Sequence, residues 1–369
     1  MRVRLTQIDG GKFPNLALMK LGYWHRERGD EVVLTTSVRR DLFEKSYGRV
    51  YGSVIFTRSM PLVEHLVADF PEAIVGGTGL GGEDGWDKVE HLIRAESFEY
   101  HDYSLYPDFE HSIGFSMRGC RLKCGFCVVP RKEGKPYANA TLNKIWRGPG
   151  HPKNIILLDN DFFGQPRAAW EAFLDAAHDG KFRISFNQGI NVRLVRDDET
   201  AQAIAAAPYY DDSFTQRRLY TAFDNVGDES IFRKGIERLL SAGIPGYHIM
   251  AYMLVGYDER ETWDAVFHRL NVMLEYGIMP YPMVYQKVGE SKSGNALEYR
   301  LLRLFQKWVI KRYYEILPWY EFLAEKISRE DLHRMSKSLD ARGVVDKKRV
   351  RRQELLAARA APSLFGASA

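Results

Sequence analysis

Apolar residues recur along this chain in short runs separated by helical stretches. In the first hundred residues Val3 to Ile8, Glu31 to Leu34, Val54-Ile55-Phe56 and Ala73-Ile74-Val75 read as strands. Pro14 near a helix start and Gly29 after its end bracket a helix between the first two. Short apolar strands alternating with helices predict a parallel sheet covered on both faces. That is a Rossmann-like layout over residues 1–95. Residues 96–110 are aromatic and acidic without a clear period and read as a connector that packs between domains.

A second alternating series starts at Ile113. Strands are expected at Ile113–Ser116, Ile155–Leu158, Arg183–Phe186, Leu219–Phe223, His248–Val255 and Met283–Tyr285. Between them, Trp170, Phe173, Leu174 and Ala177 share one helical face, and Phe232, Ile236, Leu239 and Leu240 share another, closed by Gly243 and Pro245. Trp263, Val266, Phe267, Leu270 and Leu274 make a third. Six β/α units across residues 111–290 predict a partial (β/α)6 TIM-type barrel, since a complete eight-unit barrel takes about 250 residues. From residue 291 to 369 the chain reads as helical, with a stripe of Leu297, Leu301, Leu304, Phe305 and Trp308. The expected class is therefore α/β: a Rossmann-like domain, a connector, a partial barrel and C-terminal helices.

Composition narrows the setting more than the function. The 369 residues are 45% hydrophobic and 27% charged, with a net charge of +4, which suits a globular protein and by itself points to no nucleic-acid partner. No apolar run is long enough to span a bilayer, and the N-terminus lacks the apolar core of a signal peptide. The expected location is the cytoplasm, with no membrane partner. The basic run Lys347, Lys348, Arg349, Arg351 and Arg352 reads either as a solvated helix face or as a nucleic-acid contact.

The three cysteines of the chain lie within one short segment, Gly114-Phe-Ser-Met-Arg-Gly-Cys120-Arg-Leu-Lys-Cys124-Gly-Phe126-Cys127. An odd number in one cluster argues against a disulfide framework and for metal. The segment follows the first expected barrel strand, at the end where such folds place their sites. Thiolates are the usual ligands of iron–sulfur clusters, and three of them leave one iron of a four-iron cubane open. A structural zinc site is the bland alternative, with His111 or His151 as fourth ligand, but neither has finger-like spacing.

The spacing Cys-x3-Cys-x2-Cys, with Phe126 before the last cysteine, strongly resembles the radical SAM (S-adenosylmethionine) superfamily. The resemblance covers about residues 112–285 and is nearest to its Elp3/MiaB-like branch. It implies a [4Fe–4S] cluster on Cys120, Cys124 and Cys127, with Phe126 beside the adenine of SAM. It also implies reductive cleavage of SAM to a 5′-deoxyadenosyl radical that abstracts hydrogen from an unidentified substrate, and an electron donor of the flavodoxin or ferredoxin type. Successive strand ends would meet SAM: Asp159 after the second strand, Asn187 and Gln188 after the third with Arg193 beyond, and Asp224 after the fourth. Asp224 suits the ribose hydroxyls and Arg193 the SAM carboxylate. The alternative for each is a strand-end polar residue capping the next helix. Asp224-Asn225 stands where relatives often carry Glu-Ser, and Tyr257 where they often carry Pro. Arg131, Lys132 and Lys135 beside the loop suit an anionic substrate or a reductase, or plain solvation.

The first domain resembles the cobalamin-binding-type domain that precedes many such barrels, in the runs Phe13 to Leu18, Gly29 to Val32 and Ile74 to Gly77. The histidine motif of those domains is absent: the chain reads Ile8-Asp9-Gly10-Gly11-Lys12-Phe13 there. Cobalamin then binds without a histidine, as in a cobalamin-dependent radical SAM methyltransferase, or the domain is structural or reads substrate. The glycine-rich run Val75 to Gly82 is a weak phosphate-loop signal and equally a turn. With no further cysteine, a second thiolate-held cluster is excluded. The non-enzyme alternative is a zinc-stabilised nucleic-acid adaptor using the basic tail.

Overall fold

The computed structural model describes residues 1–11, 13–81, 101–286 and 296–328. The protein is mixed α/β, its larger sheets are parallel, and ten α-helices stand among the described residues. It divides into two compact units, one built on Met1–Tyr220 and one on Thr221–Tyr285 with the described chain beyond Gly294. Leu297 as a core side chain, Gly82, residues 96–100 and the basic run 347–352 lie outside the description.

In the first unit, β1 (Arg2–Gln7), β2 (Glu31–Thr35), β3 (Arg49–Ser53) and β4 (Ile74–Gly76) form a parallel sheet in the order β2-β1-β3-β4. Helix α1 (Leu16–Arg26) begins where the Asn15 side chain accepts from the N–H of Leu18 (3.2 Å). Its Leu18 and Leu21 pack with Val3, Leu5 and Tyr51. Helix α2 (Met60–Asp69) contributes Val63 and Leu66 to a separate core with Ile8, Val50 and Val54. Two cores from one sheet are what a doubly covered parallel sheet requires.

The third strand departs from expectation. It runs through Arg49–Ser53, not Val54–Phe56. The N–H groups of Ile55 and Phe56 leave the ladder for the Asp9 carboxylate (2.5 and 3.2 Å), and both side chains are about half exposed. An apolar triplet bent off by a carboxylate looks like a strand only in the sequence.

The connector docks on this sheet. The Tyr106 hydroxyl donates to Gln7 Oε1 (2.7 Å) and accepts from the N–H of Asn15 (3.1 Å), and Asn15 Nδ2 donates to Ser53 Oγ (2.8 Å). Burial pushes the Tyr106 phenol up to about 12. At Gly22 a Cβ would meet Leu105 Cδ1 at 2.6 Å, so the connector packs closely on this turn of α1 and a larger residue would push the Leu105 side chain aside.

The same unit holds β5 (Ser112–Gly114), the short antiparallel pair β6 (Met117–Arg118) and β7 (Tyr137–Ala138), and the one-turn helices α3 (Val129–Lys132) and α4 (Leu142–Ile145). Strands β8 (Asn154–Leu157) and β9 (Arg183–Phe186) follow, joined by α5 (Arg167–Asp179), with α6 (Asp198–Ala206) after β9. The order β5-β8-β9 is wholly parallel. Trp170, Phe173, Leu174 and Ala177 are the buried face of α5, as their spacing predicts.

In the second unit, β10 (Leu219–Ala222, starting at the unit boundary), α7 (Glu229–Ser241), β11 (Ile249–Val255), α8 (Trp263–Glu275) and β12 (Met279–Val284) repeat the alternation, in sheet order β10-β11-β12. Strand β12 runs through Met279–Val284 and not Met283–Tyr285, with Pro280 and Pro282 within it. Proline has no N–H to give, and these two occupy alternate positions of an edge strand, where that N–H is not needed by the neighbour. Helices α9 (Ala296–Ile310) and α10 (Trp319–Ala324) close an aromatic core of Trp263, Phe267, Phe305, Trp308 and Trp319.

Candidate metal-binding loop

The cysteine loop is an excursion between β6 and β7, whose pairing of Met117 with Ala138 and Arg118 with Tyr137 closes its base. Gly119 opens it at φ +80°, and a Cβ there would overlap the Lys135 carbonyl oxygen. The Cys120 N–H donates to the Gly134 carbonyl (3.3 Å), and the Cys127 N–H donates to the Cys124 carbonyl (3.0 Å). The Leu122 N–H points at Cys120 Sγ (3.4 Å).

Two carboxylates fix this base. Asp159, 4% exposed at the end of β8, accepts from the N–H of Ser116 (2.7 Å), the N–H of Met117 (3.1 Å) and the Ser116 hydroxyl. Burial outweighs these three donors and pushes its carboxyl up to about 7, with the charge of Glu133 adding to the rise. Glu133 accepts from Arg118 Nη2 (2.9 Å), the Gly119 N–H (3.0 Å) and Asn160 Nδ2 (3.3 Å). A third carboxylate, Asp161, pairs with Arg121 (2.9 Å), and burial raises its pKa despite that partner. Gly164 must lack a side chain because a Cβ would overlap the Asp161 carboxylate.

The three thiols are half-buried and none forms a disulfide. Burial pushes the Cys120 thiol up, the Leu122 N–H works against this, and the charges of Asp161, Cys127 and Cys124 add to it. Among the described residues no group of three or more His, Cys, Asp and Glu is gathered to hold a metal ion. As a donor set, three thiols on one loop suit a soft metal, whether iron in a cluster, zinc or copper(I). The histidines considered for zinc stand at the opposite end of the strands. His111 packs on Phe109 and Phe214 and meets Asn154 at the start of β8 (3.4 Å). His151 is exposed and lines a separate cavity.

The remaining expected contacts divide by location. Phe126 is half-buried within the loop. Asn187 is half-buried at the end of β9, where its N–H donates to the Leu157 carbonyl (3.2 Å), and Gln188 is exposed beside it. The Arg193 N–H donates to Asn191 Oδ1 (3.2 Å), and the Asn191 side chain also bonds Asp161. Loop, β8 end and β9 end are thus linked through Arg121, Asp161 and Asn191. Asp224 belongs to the second unit, where Oδ1 accepts from the Leu254 N–H (2.8 Å). There the fully buried Arg269 donates to the carbonyls of Phe223 and Leu254 (2.9 Å each) and pairs with Glu261 (2.5 Å).

Ser116, Arg118, Arg121, Glu133, Asp161 and Arg269 carry this architecture, and no motif in the sequence marks them. The acidic Asp159-Asn160-Asp161 run at a strand end was a usable signal for Asp161. Glu133 and Arg269 have no local signature, because their partners are chosen by the fold. The glycine-rich run serves packing: a Cβ on Gly77 would overlap the Val54 carbonyl, and one on Gly79 would meet Phe56 backbone at 2.8 Å. Lys132, on α3, reaches Thr78 Oγ1 of that turn (3.4 Å). In comparisons with known proteins, no family model matches the chain and no curated protein matches it.

Proposed function

We propose that the chain is a radical enzyme that uses SAM, with Cys120, Cys124 and Cys127 as ligands of a [4Fe–4S] cluster. The observation that carries this reading is the thiol-bearing loop itself, which leaves the first strand of a parallel sheet on a base held by Asp159 and Glu133. When bound, such a cluster with one open iron supplies the electron that cleaves SAM to methionine and a 5′-deoxyadenosyl radical, which takes hydrogen from the substrate. The residues of the chain supply position. Asp159 and Glu133 hold the loop base by its backbone N–H groups, which fixes where the three thiols start and end. Phe126 offers an aromatic face between two of them, and Asn187 and Arg193 offer polar groups at the neighbouring strand end. Arg131, Lys132 and Lys135 give the loop a basic flank suited to an acidic electron donor. The fold reading that accompanies this proposal is the partial (β/α)6 barrel with C-terminal helices. No helix among the described residues is long and apolar enough to cross a membrane.

The test is anaerobic reconstitution with iron and sulfide, followed by reductant and SAM. About four irons per chain and formation of 5′-deoxyadenosine are expected, both lost on changing any one of the three cysteines to alanine. One zinc and no iron would instead favour the nucleic-acid adaptor. The sheet order β2-β1-β3-β4 keeps a cobalamin-dependent methyltransferase as the second reading, since ligands of such sheets sit at the strand ends where the order reverses. Against it, Gln7, Asn15, Ser53 and Tyr106 bond to one another at those ends of β1 and β3. Protein purified with cobalamin and lacking its absorbance spectrum would remove that reading.

A further inference from the structure

A cavity of about 650 Å³ lies in the first unit, walled by α1, the connector and the segment around α4. It is separate from the cysteine loop. The Arg147 N–H donates to Ser112 Oγ (3.1 Å) at the first residue of β5, whereas the loop leaves from the other end of that strand. We propose that this cavity binds a nucleoside phosphate, with Trp146 and Tyr103 beside the planar base and Arg147, Lys144 and His151 around the phosphate.

Size, charge and shape agree. Ligand pockets run from about 300 to 1,000 Å³, which brackets this one. Among the described lining residues the one carboxylate, Asp102, is 9% exposed and lies 2.7 Å from Arg26 Nε, so the described lining is cationic. Arg147 lies over the Tyr103 ring (4.3 Å) and gives Nη1 to the Phe109 carbonyl (2.8 Å). Both contacts fix the plane of its guanidinium, which carries five donors and so retains others for a phosphate fork. Lys144 and His151 are exposed at the rim. Trp146 stands edge-on to Phe182 (5.4 Å) and its Nε1 donates to the Pro152 carbonyl (3.3 Å), which makes it a fixed aromatic surface. A simple anion would leave Trp146 unmatched, and an apolar ligand would leave the cations unmatched. A stacked base with a phosphate uses both.

Calorimetric titration of the full chain with the four common nucleoside monophosphates, with their nucleosides and with inorganic phosphate tests this. At least one monophosphate is expected to bind roughly tenfold or more tighter than its nucleoside or phosphate alone. The double variant K144E/H151E should weaken it by a similar factor, and N143W, which fills the cavity from its exposed rim, should do the same by a different route. A short single-stranded RNA separates the sources. Binding that is tighter than the monophosphate and falls steeply with salt identifies a strand as ligand, and a monophosphate that binds as well as the strand identifies the free nucleotide. The proposal is overturned if no monophosphate exceeds inorganic phosphate, or if both variants bind unchanged. Iron content of the reconstituted protein is expected to be unaltered in both variants, so failure here leaves the radical reading standing, and the converse also holds.

Discussion

The base of the cysteine loop in the first unit is gathered by carboxylates, whereas the strand ends of the second are gathered by a buried arginine together with the Asp224 carboxylate. In the first, Asp159 and Glu133 gather backbone N–H groups of Ser116, Met117 and Gly119. In the second, Arg269 gathers the carbonyls of Phe223 and Leu254. The difference follows from what each backbone leaves unpaired. Buried backbone groups must be paired: the loop base presents the N–H groups of Ser116, Met117 and Gly119, whereas the second unit presents the carbonyls of Phe223 and Leu254 beside the Leu254 N–H. The two clamps also differ in titration. An arginine stays charged throughout the working range, while burial has brought Asp159 to about 7. The loop clamp therefore titrates through Asp159, whereas in the strand-end clamp the arginine stays charged and only its partner Glu261, whose carboxyl burial raises, can titrate.

This contrast can be broken most forcefully at Arg269. Replacing it with leucine strands Glu261 and two carbonyls in a buried setting, a loss of about 3–5 kcal/mol expected for a broken buried pair. Urea unfolding should show it, and a change below about 1 kcal/mol would mean that the guanidinium is not the clamp. Gly119→Ala is next. Its left-handed backbone and the overlap with the Lys135 carbonyl are expected to cost about 1–3 kcal/mol, confined to the loop. Limited proteolysis at Arg121 and Lys123 should speed up, and iron loading should fall, while the melting of the second unit stays in place.

The finest test is pH. Asp159 titrates near 7 when folded and near its ordinary value of 3.8 when unfolded. The folded chain therefore holds the proton more tightly, and the stability this provides is complete below about 3.8 and lost as pH rises through about 7. The loss is at most about 1.4 kcal/mol per pH unit across that window. Other carboxylates, such as Asp30 and Asp211, are held low and slope the opposite way. The comparison that isolates Asp159 is the wild type against D159N. The variant should lack this component, and parallel stability profiles for the two would show that Asp159 does not titrate in this window.

Much of the frame could be read from periodicity. The buried face of α5 came out residue by residue, as did most of that of α7 and half of that of α8, because a helix repeats its burial every few residues and the pattern is local. The strands of the two three-membered sheets other than β12 were legible as short apolar runs, to within two residues at their ends. Two positions failed where local pattern and long-range contact disagree: β3, displaced by a distant carboxylate, and β12, masked by two edge-compatible prolines.

By itself the sequence determined that three thiols share one loop, that the loop follows a parallel strand, and which helical faces are apolar. Spacing and burial periodicity are properties of neighbours along the chain. Only the tertiary structure decided what holds the loop. Ser116 and Asp159 are 43 positions apart, and Gln7 and Tyr106, which join the connector to the first sheet, are 99 apart. A buried polar group must be paired wherever the fold brings a partner, and nothing in its immediate neighbours names which residue that will be.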